Sequence, residues 1–164
     1  MRVAVTGTPG TGKTSATECL GGNHRVLHLN EIVEREGLYT ERDEERDSLV
    51  VDMDALAEYV GKREGIIESH LAHHLPADRI VVLRCEPANL ERRLRERGEN
   101  ERKAVENRRS EELDLILSET VTEHGLENVY EIDTTEREPE AVAREVERVI
   151  AGEREPSAGE VTFS

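Results

Sequence analysis

The stretch Gly7-Thr8-Pro9-Gly10-Thr11-Gly12-Lys13-Thr14 matches the spacing G-x-x-x-x-G-K-[ST]. Glycine at Gly7, Gly10 and Gly12 lets the backbone wrap a phosphate chain with its N–H groups turned inward, where a Cβ would obstruct both conformation and approach. Lys13 is then placed to bridge the β- and γ-phosphates. The Thr14 hydroxyl is placed to ligate Mg²⁺ at the start of a helix whose dipole favours an anion. The plain alternative is an ordinary glycine-rich turn. An apolar run before the motif (RVAVT, 2–6) and helical composition after it (13–20) supply the strand-loop-helix context that phosphate binding requires.

A site of this kind needs a second carboxylate at the end of a neighbouring strand to hold the metal. The segment Gly65-Ile66-Ile67-Glu68-Ser69-His70 offers one, an apolar strand ending in Glu68, with His70 two residues on. The bland reading is that Glu68 only ends a strand and His70 only starts a loop. His70, His73 and His74 with Glu68 also carry the residue types of a zinc site. That reading is the weaker one, because the phosphate loop already accounts for the carboxylate.

Between Arg84 and Arg109 the chain carries nine basic residues against six glutamates, a local charge of +3 that leaves −18 for the rest. Guanidinium groups concentrated in an acidic chain suit a transferring phosphoryl group whose oxygens must be clamped. Several of these arginines do no more than pair with glutamates along a solvated helix. Gly98, between two helical stretches, offers a hinge for a lid that would close and exclude water.

The elements that must position these groups alternate along the chain. Strand-like runs occur at 2–6, 26–29, 65–68, 80–84 and 128–132. Helical patterns fall between them: Ile32, Val33 and Leu38 on one face, then Met53, Leu56, Ala57 and Val60, then segments near 87–97, 101–123 and 138–151. Pro139 marks the start of the last. Strands alternating with helices imply parallel pairing through right-handed crossovers, hence an α/β sandwich with a parallel sheet of about five strands flanked by helices. Residues 41–47 (ERDEERD) read as a solvated loop. One domain is expected over 1–151, and the aperiodic segment 152–164 is expected to be a mobile tail.

Composition narrows the functional classes. The 164 residues are 36% charged with a formal net charge of −15, and 35% hydrophobic, so a folded domain under an acidic surface is expected. Extensive direct binding to nucleic acid is disfavoured by that charge and by three Tyr, one Phe and no Trp. Cys19 and Cys85 are isolated and match no metal or disulfide spacing, and no membrane span or signal peptide is legible. The chain is expected to be soluble and cytoplasmic. With 19 Arg and 3 Lys against 30 Glu and 7 Asp, the acidic, lysine-poor shell resembles that of proteins from salt-accumulating archaea.

Six segments in order, GTPGTGKT, LNEIVEREGLY, DEERDSLVVDMDAL, IIESH, LPADRIVVLR and RLRERGENERKAVEN, closely resemble the adenylate kinase isoenzyme six family. Its animal members are the coilin-interacting nuclear ATPases, and it has archaeal relatives. The resemblance covers about residues 2–125. It implies a P-loop nucleoside monophosphate kinase fold with a monophosphate-binding segment near 28–51 and a short lid near 96–106. It also implies phosphoryl transfer from ATP to AMP or related monophosphates, ATP hydrolysis, and a part in small ribosomal subunit maturation through ribosomal protein uS11. Carried over by position, Gly10, Gly12, Lys13, Thr14 and Ser15 would contact ATP, Arg97 would touch its phosphates, and the loop around Arg137 would lie by the adenine. The family's Asp-x-His reads Glu68-Ser69-His70 here, and the extra methylene makes contact with Mg²⁺ through water the expected one. The family's Tyr after the lid Arg-Gly is Glu99, and Arg35 is the nearest candidate for gripping the monophosphate.

The acceptor in such a reaction is already an oxyanion, so catalysis would come from in-line positioning and charge neutralisation by Mg²⁺, Lys13 and the lid arginines. His70, two residues beyond the metal carboxylate, would orient a water when no monophosphate is bound. Two rival readings share these motifs: a ribosome-assembly ATPase switch with incidental kinase activity, and a P-loop kinase for a small metabolite.

Overall fold

The computed structural model describes residues 1–22, 24–45 and 48–163. In chain order the elements are β1 (Arg2–Thr6), α1 (Lys13–Glu18), β2 (Val26–His28), α2 (Leu29–Glu36), β3 (Tyr39–Asp43), β4 (Ser48–Val51), α3 (Met53–Val60) and β5 (Gly65–Glu68). Then follow β6 (Arg79–Arg84), α4 (Pro87–Glu96), α5 (Glu101–Glu112), α6 (Leu115–His124), β7 (Val129–Asp133) and α7 (Pro139–Ile150). A 3-10 turn at Ala72–His74 links β5 to β6. Among the described residues no helix is long and apolar enough to cross a membrane.

The sheet is parallel throughout, in the order β2-β5-β1-β6-β7, as the alternating pattern requires. Side-chain alternation along its strands divides the core in two. Ala4, Ile67, Ile80 and Val82 face one layer with α2, α3 and α6, whereas Val3, Val5, Ile66, Val81 and Leu83 face α1 and α7. Both faces are covered, so the strands read as apolar runs. β1 is the switch point: β2 and β5 lie on one side of it, β6 and β7 on the other, and the crevice beyond its carboxyl end is where such sheets take ligands.

Three expectations differ from what the fold adopts. The charged segment expected as a loop begins instead as β3, which pairs antiparallel with β4 through Arg42↔Leu49 and Asp43↔Ser48; Arg46 and Asp47 lie outside the described residues. Ladder bonds join backbones, so charged side chains facing water do not oppose the pairing, while Leu49 and Val51 pack on the core. The stretch 101–123 is two helices, because Asp114 adopts a left-handed conformation (φ 51°) and its carboxylate pairs with buried Arg84. The segment after Gly152, expected to be mobile, lies against β7: Ser157 N donates to Val129 O at 2.9 Å and Arg154 Nη2 to Glu131 O at 2.7 Å.

A third small cluster joins α4 and α5 to the glycine-rich loop after β1. Leu90, Leu94, Cys85 and Ala104 are buried together where α4 meets α5. A Cβ at Gly10 would come within 2.8 Å of Leu90 Cδ1 and 2.9 Å of Leu94 Cδ2, and Gly10 has φ 96°. Glycine there thus serves close packing as well as the turn.

Candidate active site

The loop after β1 closes over its own lysine. Lys13 Nζ donates to Gly7 O at 2.9 Å and Thr8 O at 3.1 Å, and the side chain is buried. Burial pulls its pKa down to about 8; Glu68 and Glu111 push it up, and Arg97 adds to the lowering. A phosphate chain entering the loop would exchange weak carbonyl partners for anionic ones.

Glu68 ends β5 beside the start of α1. Thr14 Oγ1 donates to Glu68 Oε1 at 3.1 Å, and His28 Nδ1 lies 2.7 Å from the same oxygen. Parallel register explains the third member: His28 of β2 is the Cα partner of Glu68. No motif spacing pointed to His28; the only signal was an imidazole closing a short apolar strand. The Thr14 and Glu68 oxygens stand about as far apart as adjacent ligands of one octahedral Mg²⁺, about 2.9 Å for bonds of 2.0–2.1 Å, so the donor set fits the ion.

His70 follows in the same wall. Burial, then the charges of Lys13, His73, Lys103 and His74, lower its pKa to about 4. It is a neutral imidazole at pH 7, and its unprotonated ring nitrogen can accept a hydrogen bond from water.

These groups share one cleft of about 790 Å³ at the carboxyl ends of β1 and β5. Gly10, Gly12, Lys13, Thr14, Ser15, Glu68, His70 and Arg97 all line it. Asn30 and Ser48, from either end of the segment 28–51, also reach it. A neighbouring recess of about 400 Å³ shares Gly10, Gly12, Ser15 and Arg97, and adds Arg93, Thr134 and Arg137. Arg137, exposed, donates to Asp133 O at 3.2 Å. Arg97 caps the carboxyl end of α4 just before Gly98 (φ 85°), and its Nη2 lies 4.0 Å from Glu99. Arg35 is exposed, bonded to Tyr59 OH at 3.3 Å and Glu36 at 3.2 Å, and does not line the cleft.

A hollow of similar size, about 770 Å³, opens at the opposite ends of the strands. Its Arg2 is occupied by the backbone carbonyls of Gly61, Arg63 and Pro76, and no glycine-rich loop faces it. The zinc set Glu68, His70, His73 and His74 is not assembled either. Glu68 turns to Thr14 and His28, whereas His73 and His74 turn to Glu119 and Glu123 on α6.

Residues 3–114 match the model of an AAA domain family. A protein of Natronomonas pharaonis named "Putative adenylate kinase" is 60% identical over all of this chain and 98% of its own length. Proteins of the same name from Halobacterium salinarum and Archaeoglobus fulgidus are 53% and 46% identical, over 100% and 94% of this chain and 98% and 85% of their own lengths. Among solved structures, the shikimate kinase of Acinetobacter baumannii superposes with a TM-score of 0.62 at 15% identity, covering 93% of this chain and 94% of that one, a likeness of fold. The chain belongs to this archaeal adenylate kinase family and is an ATP-dependent phosphotransferase.

Proposed function

We propose that the chain transfers the γ-phosphoryl group of ATP to a nucleoside monophosphate, AMP first among them, giving two molecules of ADP. The observation that carries this reading is the meeting of Lys13, Thr14, Glu68 and Arg97 in a cleft that Asn30 and Ser48 enter from the opposite segment. The phosphate loop holds the ATP phosphates, and the recess by Arg137 takes the adenine. A monophosphate oxygen attacks the γ-phosphorus in line as the bond to the β–γ bridging oxygen breaks, and ADP leaves. The nucleophile is already an anion, so no side chain need remove a proton. Thr14 and Glu68 would hold Mg²⁺, which supplies charge neutralisation to the phosphate oxygens. Lys13 and Arg97 neutralise the remaining charge.

Within this family the reading extends to the adenylate kinase isoenzyme six branch, on the six ordered segments that resemble it. It then includes ATP hydrolysis with water oriented by His70, and a role in small-subunit maturation through uS11, a basic protein drawn to a chain of net charge −15. Steady-state assays with AMP, CMP, GMP and UMP at high salt test the kinase reading. Turnover with AMP that disappears in Lys13→Ala is the expected result. Retained turnover in that variant, or failure of all four acceptors, overturns it, and the latter favours a small-metabolite acceptor. Capture of uS11 that weakens with salt tests the ribosomal extension separately.

A further inference from the structure

Two histidines and a carboxylate outside the phosphate machinery converge on one point. His73 and His74 sit in the 3-10 turn after β5, and Glu119 and Glu123 lie one helical turn apart on α6. His73 Nε2 is 3.1 Å and His74 Nε2 is 3.9 Å from the same atom, Glu119 Oε1. The three potential ligand atoms all lie within 4.8 Å of one another.

The opposite ring nitrogens are also held. His73 Nδ1 lies 2.7 Å from Thr6 Oγ1, and His74 Nδ1 lies 2.7 Å from Glu123 Oε1. His124 Nε2 donates to the backbone oxygen of His73 at 2.7 Å, fixing the turn itself. Oxygen partners on Nδ1 that leave Nε2 atoms pointing at one carboxylate are the arrangement by which outer residues orient imidazole ligands for a metal.

We propose that His73 Nε2, His74 Nε2 and Glu119 Oε1 bind a divalent transition cation of the zinc class. Bonds of 2.0–2.1 Å in a tetrahedron put ligand atoms about 3.3 Å apart. The His73–Glu119 edge already has that length. The His74–Glu119 edge, 3.9 Å, shortens by a small shift of these two partly exposed side chains, 28% and 38% accessible, with the His74 Nδ1–Glu123 contact kept as the pivot. Two imidazoles favour zinc-like ions over Mg²⁺, which prefers oxygen donors, so this site and the Thr14–Glu68 pair select different metals. Both His74 and Glu119 line the 790 Å³ cleft, so the fourth position is open to water or to a bound ligand. The cation would fasten the turn after β5 to α6, two walls of that cleft. The proposal is independent of the phosphoryl-transfer reading.

The test uses the full-length, tag-free protein, stripped with chelator, held in excess Mg²⁺ without nucleotide, and titrated with zinc against a chromophoric competitor. Co²⁺ serves as a spectroscopic substitute, with the intense visible bands of a four-coordinate ion expected. One equivalent of zinc should bind. Glu119→Gln and His74→Ala should each weaken it at least tenfold, and Glu123→Gln about tenfold through loss of ring orientation. His28→Ala should leave the affinity unchanged. Circular dichroism reports folding of each variant, and the two ligand substitutions change partly exposed side chains, so one can stand in for the other. Absence of stoichiometric binding overturns the proposal. Zinc held equally well by folded His74→Ala or Glu119→Gln, or lost in His28→Ala, also overturns it.

Discussion

Thr8 Oγ1 in the phosphate loop donates to Glu111 Oε1 at the end of α5, 3.1 Å away across 103 positions of sequence. The other carboxylate oxygen, Glu111 Oε2, accepts from Cys85 N at 2.8 Å and Arg84 Nε at 3.2 Å. Arg84 is itself 1% exposed and reaches Glu131 at 2.9 Å and Asp114. One buried acid therefore ties the glycine-rich loop after β1 to α5 and to the end of β6.

Removal of Glu111 should be costly, because it orphans a buried guanidinium nitrogen, a backbone N–H and a hydroxyl together. Glu111→Ala should lower the unfolding free energy by about 3–5 kcal/mol in urea denaturation. A loss under about 1 kcal/mol would show that the network contributes little beyond geometry.

Lys13 carries a pH signature. Its pKa falls from 10.5 to about 8 in the folded chain, so the unfolded chain holds more protons between those values. Stability contributed by this group should rise with pH across about 8 to 10.5, by about 3 kcal/mol at most. Lys13→Met should remove that rise. Bound phosphates favour the charged amine, so calorimetric affinity for ATP should weaken above pH 8, approaching tenfold per pH unit. An affinity flat from pH 7 to 9 would contradict this.

His70 has its pKa lowered to about 4, so it stays neutral over the range in which the protein would work. Unfolded His binds protons that folded His70 refuses, and its contribution to stability is lost as pH falls from about 6.5 toward 4. His70→Ala should cut acceptor-free ATP hydrolysis about tenfold or more while AMP phosphorylation falls much less, because only hydrolysis needs an oriented water. Equal losses in both rates would remove the water-orienting role.

The net charge of −15 predicts a salt requirement. The Debye length shrinks from about 10 Å at 0.1 M to about 3 Å at 1 M, which screens repulsion across the carboxylate-rich surface. Tm should rise by roughly 5 °C or more from 0.1 to 2 M KCl. Equal stability in dilute buffer and molar KCl would refute salt adaptation.

The residues whose roles follow from local chain chemistry were legible before the fold was known. Glycines spaced at Gly7, Gly10 and Gly12 ahead of Lys13 and Thr14 predict a strand-loop-helix unit, and β1 precedes the loop and α1 follows it. Apolar runs located all five strands of the sheet, since strands covered on both faces are largely apolar even where a paired charge such as Arg84 or Glu131 is buried among them. The antiparallel pairing of β3 and β4 was hidden, because it rests on backbone bonds and leaves a polar sequence in a strand.

Only the tertiary structure decided which distant side chains meet. His28 reached Glu68 through parallel register between β2 and β5, which depends on strand order and not on spacing. Glu111 reached Thr8 because the chain reverses between α4 and α5 and packs the two helices together beside the loop, and His73 and His74 found Glu119 rather than Glu68 because the turn after β5 packs on α6. By itself the sequence determined the strand-loop-helix unit proposed to bind phosphate, since that pattern is written within eight consecutive residues and their flanks. The long-range carboxylate partners were decided by packing, because a charge seeks whatever opposite group the buried apolar faces bring within reach.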